Sequence, residues 1–281
     1  MKVGLALSGG GAKGFAHIGV IRCLEKLGVV PYCISGTSMG ALVGGWYASN
    51  KDFAILETLA RTGEWKQFMP VREIFSSVRP GGGLFTLHAF RNFLKKEIGE
   101  VTIEKLSLPY CAVATSLKTG KEVRIQKGPL GEAILASGCI PIVFTPIERD
   151  NDLLVDGGVV NNFPIQACFD MGAEVVIGVD VRYVPGNLEH ELSQEHHILR
   201  WRIFRILNYL MDLIHPEEQV YPKEKMISLK PYISHIGTFD FDRVNEIIKL
   251  GEEAFEEKEK EIRILLSLPE KTKTFWDKLF E

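Results

Sequence analysis

Within its first fifty residues the chain alternates short apolar runs with helical recurrences, and glycines mark the changes of direction. Residues 2–7 are an apolar run that stops at Ser8-Gly9-Gly10-Gly11, which reads as a buried strand ended by a turn. Ile18, Val20, Ile21, Leu24 and Leu27 recur at helical spacing over 16–27, and Gly28 stands where a left-handed C-cap is easiest. Pro31-Tyr32-Cys33-Ile34 reads as a second strand and 41–48 as a helix of small residues. Strand, helix, strand, helix in so short a span calls for parallel pairing through a right-handed crossover.

Further strands are expected at 110–115, 122–126, 153–155, 175–179 and 226–229. Helices are expected at 52–61, 87–98, 130–136, 165–171, 196–214 and 242–266. Thr119-Gly120-Lys121 reads as a hairpin turn, so one edge of the sheet is expected to be antiparallel. The expected fold is α/β: one three-layer α/β/α domain over 1–281 with a mostly parallel central sheet. Its motif-bearing core lies at about 3–164, with a C-terminal helical extension at about 190–281.

At 281 residues and 46% hydrophobic, the chain can bury a substantial core and is no disordered polymer. A formal net charge of −3 argues against nucleic acid as a partner. Cys23, Cys33, Cys111, Cys139 and Cys168 form no CxxC pair, so neither a disulfide framework nor a zinc site is expected. They read as small buried hydrophobes of a reduced protein. The first apolar run is too short for a signal peptide or a membrane span, so a cytoplasmic protein is expected.

Gly9-Gly10-Gly11-Ala12-Lys13-Gly14 matches G-x-G-x-x-G between a strand and a helix. A dinucleotide site also needs an acidic residue near the end of the second strand, and Ile34-Ser35-Gly36-Thr37-Ser38 supplies none. A P-loop fails as well, because Gly14 follows Lys13 where Ser or Thr is required. Two readings stay open: an anion-holding turn of exposed N–H groups, or a tight turn that binds nothing.

Gly36-Thr37-Ser38-Met39-Gly40 follows a strand and opens a helix, the context of a nucleophile elbow. An ordinary Ser N-cap is the competing reading. Both turns end neighbouring strands and should open on one sheet edge, where acyl transfer needs a serine beside anion donors. Among the histidines, His17 reads as a core or capping residue, His190, His196 and His197 as solvated, and only His235 stays a candidate base. Asp156, ahead of Gly157 and Gly158, ends the strand 153–155 and reaches the same edge as Ser38 if both strands are parallel. An ordinary Asp-Gly turn is the alternative.

In these motifs the chain resembles the patatin-like phospholipases, lipid acyl hydrolases with a Ser–Asp dyad. Gly9 to Gly14, Gly36 to Gly40 and Asp156 to Gly158 carry the resemblance in that order, supported by Ala136-Ser137, Pro141, Phe144 and Pro146. It implies a patatin-like fold, Ser38 as nucleophile, Asp156 as its proton acceptor, and oxyanion N–H groups from Gly9, Gly10 and Gly11. It implies a fatty-acyl ester or phospholipid substrate, no cofactor and no metal. Lys13 then anchors the loop or favours an anionic head group, though an ordinary surface lysine is the simpler reading.

The helix at 196–214 carries a broad apolar stripe, which packs on the sheet or serves as a lid or membrane-facing surface. Arg79-Pro80-Gly81-Gly82-Gly83 reads as a flexible loop, and the alternating charges of 252–263 as a solvated helix face. A soluble carboxylesterase or thioesterase, or a non-catalytic nucleotide-binding module, are the competing functions.

Overall fold

The computed structural model of the chain describes residues 1–65, 87–141, 143–182 and 224–269. The expected helix at 196–214, the glycine run at 81–83 and His190, His196 and His197 lie outside the described residues.

Eight strands form one sheet among the described residues: β1 (Val3–Leu7), β2 (Cys33–Thr37), β3 (Tyr110–Ser116), β4 (Glu122–Ile125), β5 (Ile147–Arg149), β6 (Asp152–Asp156), β7 (Val175–Val179) and β8 (Met226–Leu229). Hydrogen-bonded neighbours run β5-β6-β3-β2-β1-β7-β8, with β4 also paired to β3. The pairs β1–β2, β2–β3, β1–β7 and β7–β8 are parallel. The pairs β3–β4, β3–β6 and β5–β6 are antiparallel. The α/β class and the antiparallel edge are therefore as expected, and β5 is the strand that the sequence pattern did not suggest. Its link to β6 is the Asp150-Asn151 pair, both with positive φ as in two-residue hairpin turns.

The helices are α1 (Ala16–Lys26), α2 (Met39–Ala48), α3 (Ala54–Arg61), α4 (His88–Ile98), α5 (Leu130–Ser137), α6 (Ile165–Asp170) and α7 (Val244–Leu265). Side-chain alternation along β1 sorts them onto two faces. Val3, Leu5 and Leu7 join a large cluster with Ile18, Ile21, Val43, Ile134 and Ile247 from α1, α2, α5 and α7. Ala6, on the other face, packs with Ile165 and Cys168 of α6. All five cysteines are buried and unbridged, as their spacing suggested.

The sheet takes an unexpected turn at β6. Thr37 ends β2 opposite Val113 of β3, and Asp156 ends β6 opposite the next residue, Ala114. Ile34 N–H donates to the Pro109 carbonyl and Leu117 N–H to the Leu153 carbonyl. Pro109 and Leu117 are an even number of residues apart, so β2 and β6 share one edge of β3 and meet end to end. The strand carrying Asp156 is thus antiparallel to β2, not parallel, and brings its carboxylate toward Ser38 from the opposite direction.

Residues 224–269 are tied closely to the first half of the chain. β8 extends the sheet, and α7 crosses α1 where Gly19 and Gly251 face each other's helix. A Cβ on Gly251 would lie 2.0 Å from the Ala16 carbonyl oxygen, and one on Gly19 would lie 2.1 Å from that of Ile248. Gly251→Ala is therefore expected to destabilise the fold by at least about 1–3 kcal/mol. Gly131→Ala, whose Cβ would find only Leu94 Cβ at 3.6 Å, should be neutral or stabilising by up to about 1 kcal/mol. Urea unfolding midpoints of the two variants check the contrast.

Candidate active site

Ser38 sits between β2 and α2 with φ 53° and ψ −118°, backbone angles that an L-residue adopts only under constraint. The flanking glycines make room for that turn. A Cβ on Gly36 would stand 2.4 Å from the Gly40 carbonyl, and one on Gly40 would stand 2.3 Å from the Leu7 carbonyl oxygen. Three hydrogen bonds hold the elbow. Ser38 N–H donates to Ser137 Oγ at 2.9 Å, Ser137 Oγ donates to the Val113 carbonyl at 2.5 Å, and Tyr110 donates to the Ala41 carbonyl at 2.7 Å.

The glycine loop leaves β1 beside this elbow. Ser8 Oγ accepts the Val181 N–H, and the Ser8 carbonyl accepts from His17 Nε2 at 2.8 Å. Full burial of His17 lowers its pKa to about 4, so the ring stays neutral and structural, as its helix position suggested. Gly9 N–H donates to both the main-chain oxygen and Oδ1 of Asn162, each at 3.1 Å. Ala12 N–H donates to the Thr238 carbonyl at 2.8 Å. Between them, the N–H groups of Gly10 and Gly11 donate to no described residue. Gly14 packs under Met39, where a Cβ would lie 2.3 Å from Met39 Cγ.

Asp156 is buried at the end of β6. Its N–H donates to the Cys139 carbonyl, and its Oδ1 accepts the Gly158 N–H at 2.7 Å. Gly157 lies so close to β3 that a Cβ would stand 2.2 Å from the Val113 carbonyl oxygen. Desolvation pushes the Asp156 carboxyl up to about 6, and the Gly158 N–H and the neighbouring Ser38 hydroxyl oppose the rise. Burial wins because two donors cannot replace a full hydration shell.

One cleft of about 1330 Å³, counting its open mouth, brings Gly9, Gly10, Gly11, Lys13, Ser38 and Asp156 together. Leu42, Leu56, Phe90, Ile134 and Phe241 make most of the remaining wall apolar. Lys13 is only 5% exposed, so the surface-lysine reading is corrected to a buried lysine. Arg182 also lines the cleft, held by Asp180 through two hydrogen bonds at 2.7 and 2.8 Å. No histidine among the described residues lines it. His235, the remaining candidate base, instead faces Glu246 at 3.0 Å and is corrected to a surface pair.

Three contributors escaped the sequence reading as site residues: Ser137, Asn162 and Thr238. Ser137 stood within a noted stretch. Asn162 followed Asp156 by six residues without any spacing that marks a ligand, and Thr238 reaches the loop through its main-chain oxygen.

Comparison with known proteins gives the family of the chain. Residues 5–169 match the model of the patatin-like phospholipase family. An uncharacterized NTE family protein of Mycobacterium tuberculosis is 38% identical over 183 residues, 64% of this chain and 49% of that protein. Human patatin-like phospholipase domain-containing protein 6 is 30% identical over 276 residues, 89% of this chain and 20% of its own length. Lysophospholipase nte1 of Neurospora crassa is 27% identical over 267 residues, 89% of this chain and 18% of its own. The chain thus spans about half or less of the length of these curated relatives. The crystal structure of VipD from Legionella pneumophila shares the fold, with a TM-score of 0.53 at 14% identity over 95% of this chain and 67% of that one. With more than half of its length matched, the chain belongs to the patatin-like phospholipase family, a family of hydrolases.

Proposed function

We propose that the chain is a serine lipid acyl hydrolase that cleaves fatty-acyl esters, with Ser38 as nucleophile and Asp156 as its base. The observation that carries this is a single apolar cleft that gathers Ser38, the buried Asp156 carboxyl and the Gly10 and Gly11 amides, which donate to no described residue.

Asp156 accepts the hydroxyl proton as Ser38 Oγ attacks the ester carbonyl carbon. The carbonyl oxygen becomes an oxyanion held by Gly10 and Gly11 N–H. Gly9, whose N–H already donates to Asn162, supports the loop and leaves the oxyanion to Gly10 and Gly11. Collapse expels the alcohol, which takes the proton from Asp156, and leaves an acyl-serine. Water then gives a proton to Asp156 and attacks the acyl carbon; the fatty acid departs and the proton returns to Ser38. A carboxylate is a weak base at its ordinary pKa near 3.8, and burial improves the match by raising it. The apolar wall suits an acyl chain such as that of a lysophospholipid. Among the described residues no helix is long and apolar enough to cross a membrane, so access to lipid is proposed to be peripheral.

Ser38→Ala is expected to lower turnover of a lysophospholipid and of a short soluble ester by 10³-fold or more, with the unfolding midpoint little changed. Retained turnover would overturn the assignment. Turnover of the soluble ester alone, with no rise on micelles, would favour a soluble esterase.

Asp156 must be ionised to accept a proton, so kcat/KM should fall about tenfold per pH unit below about 6 and level off above it. Because its folded pKa exceeds the unfolded value, the folded state holds the extra proton between about 4 and 6. Stability from this group therefore declines as pH rises through that window. Asp156→Asn should lose both the activity and this decline, which rate profiles and unfolding midpoints at pH 4.5 and 7 measure.

A further inference from the structure

Asn162 is a buried side chain that the acyl-transfer scheme has so far left without a role. It is 8% exposed and lines the cleft. It also touches the same glycine as the nucleophile: a Cβ built on Gly9 would lie 2.4 Å from Asn162 Oδ1 and 3.1 Å from Ser38 Cβ. The orientation of its amide is set by its partner. Gly9 N–H can only donate, so the atom facing it must be Oδ1, and Nδ2 points the other way. Nδ2 donates to no described residue, whereas Nδ2 of the neighbouring Asn161 is taken by Glu122 at 3.0 Å. A side chain more than nine-tenths buried therefore carries two N–H donors that no described residue takes, in the wall of the cleft that Ser38 also lines.

We propose that Asn162 is a third donor to the oxyanion, its Nδ2–H supplementing the Gly10 and Gly11 amides as the acyl carbonyl becomes tetrahedral. This rests on the Ser38–Asp156 reading and extends it. The N–H that the loop gives up at Gly9 is returned to the substrate by the side chain that accepted it. Acceptance of the Gly9 N–H also polarises the amide and makes Nδ2–H a better donor. No bond beyond those of the acyl transfer is made or broken, because Asn162 acts only as a hydrogen-bond donor.

Asn162→Ala tests the idea cleanly, since Gly9 N–H retains the main-chain oxygen of residue 162 as an acceptor. With an oxygen ester, kcat should fall by about 10²–10³-fold while KM changes less than threefold. With the matching thionoester, whose sulfur accepts hydrogen bonds weakly, the fall should be under tenfold. Equal losses on both esters, a change in KM alone, or kcat within threefold of the parent would overturn the proposal. Asn162→Asp keeps the side-chain acceptor for Gly9 while removing the donor. It is judged by the same ratio of ester rates if the alanine variant folds poorly. Failure of the underlying reading would look different, because the parent protein would then show no Ser38-dependent turnover at all.

Discussion

Two strands that meet end to end on one edge of β3 set the whole site. β2 and β6 run toward each other and stop opposite Val113 and Ala114, so the residues just past their ends share a few ångströms of space. Every other feature follows from that collision of strand ends. The elbow at Ser38 must turn sharply because the sheet edge is already occupied, and glycines at 36, 40 and 157 are the only residues that fit the close backbone approaches.

The same packing governs the electrostatics. Asp156 is buried beside β3 and the Cys139 main chain, and among the described residues its carboxylate accepts the Gly158 N–H, while Ser38 lines the same cleft. Burial raises its affinity for a proton, which is what the role proposed for it beside Ser38 requires. An imidazole is unnecessary in such a scheme. His17, the buried histidine nearest the loop, is spent on holding the Ser8 carbonyl and is kept neutral by its burial.

Much of this was legible in the sequence because short-range rules produced it. Glycine-punctuated apolar runs located β1, β2 and their helices, and the order of three glycine motifs pointed to Ser38 and Asp156 together. What stayed hidden depended on long-range register. Nothing local tells that Leu153-Leu154-Val155 runs antiparallel to β2, because a short apolar strand reads the same in either direction. Lys13 reads as solvent-facing from composition alone, yet it is buried in the fold. Asn162 carries no local mark, and its meaning comes only from facing Gly9 across the cleft.

The central claim is that one alcohol, Ser38, is made nucleophilic by Asp156. A fluorophosphonate probe reports on it directly, because it phosphonylates only an activated serine. Intact-mass spectrometry of the labelled protein, followed by peptide mapping, should find a single adduct on Ser38, formed far more slowly in Asp156→Asn. An adduct on another residue, or equal labelling without the Asp156 carboxylate, would contradict the account.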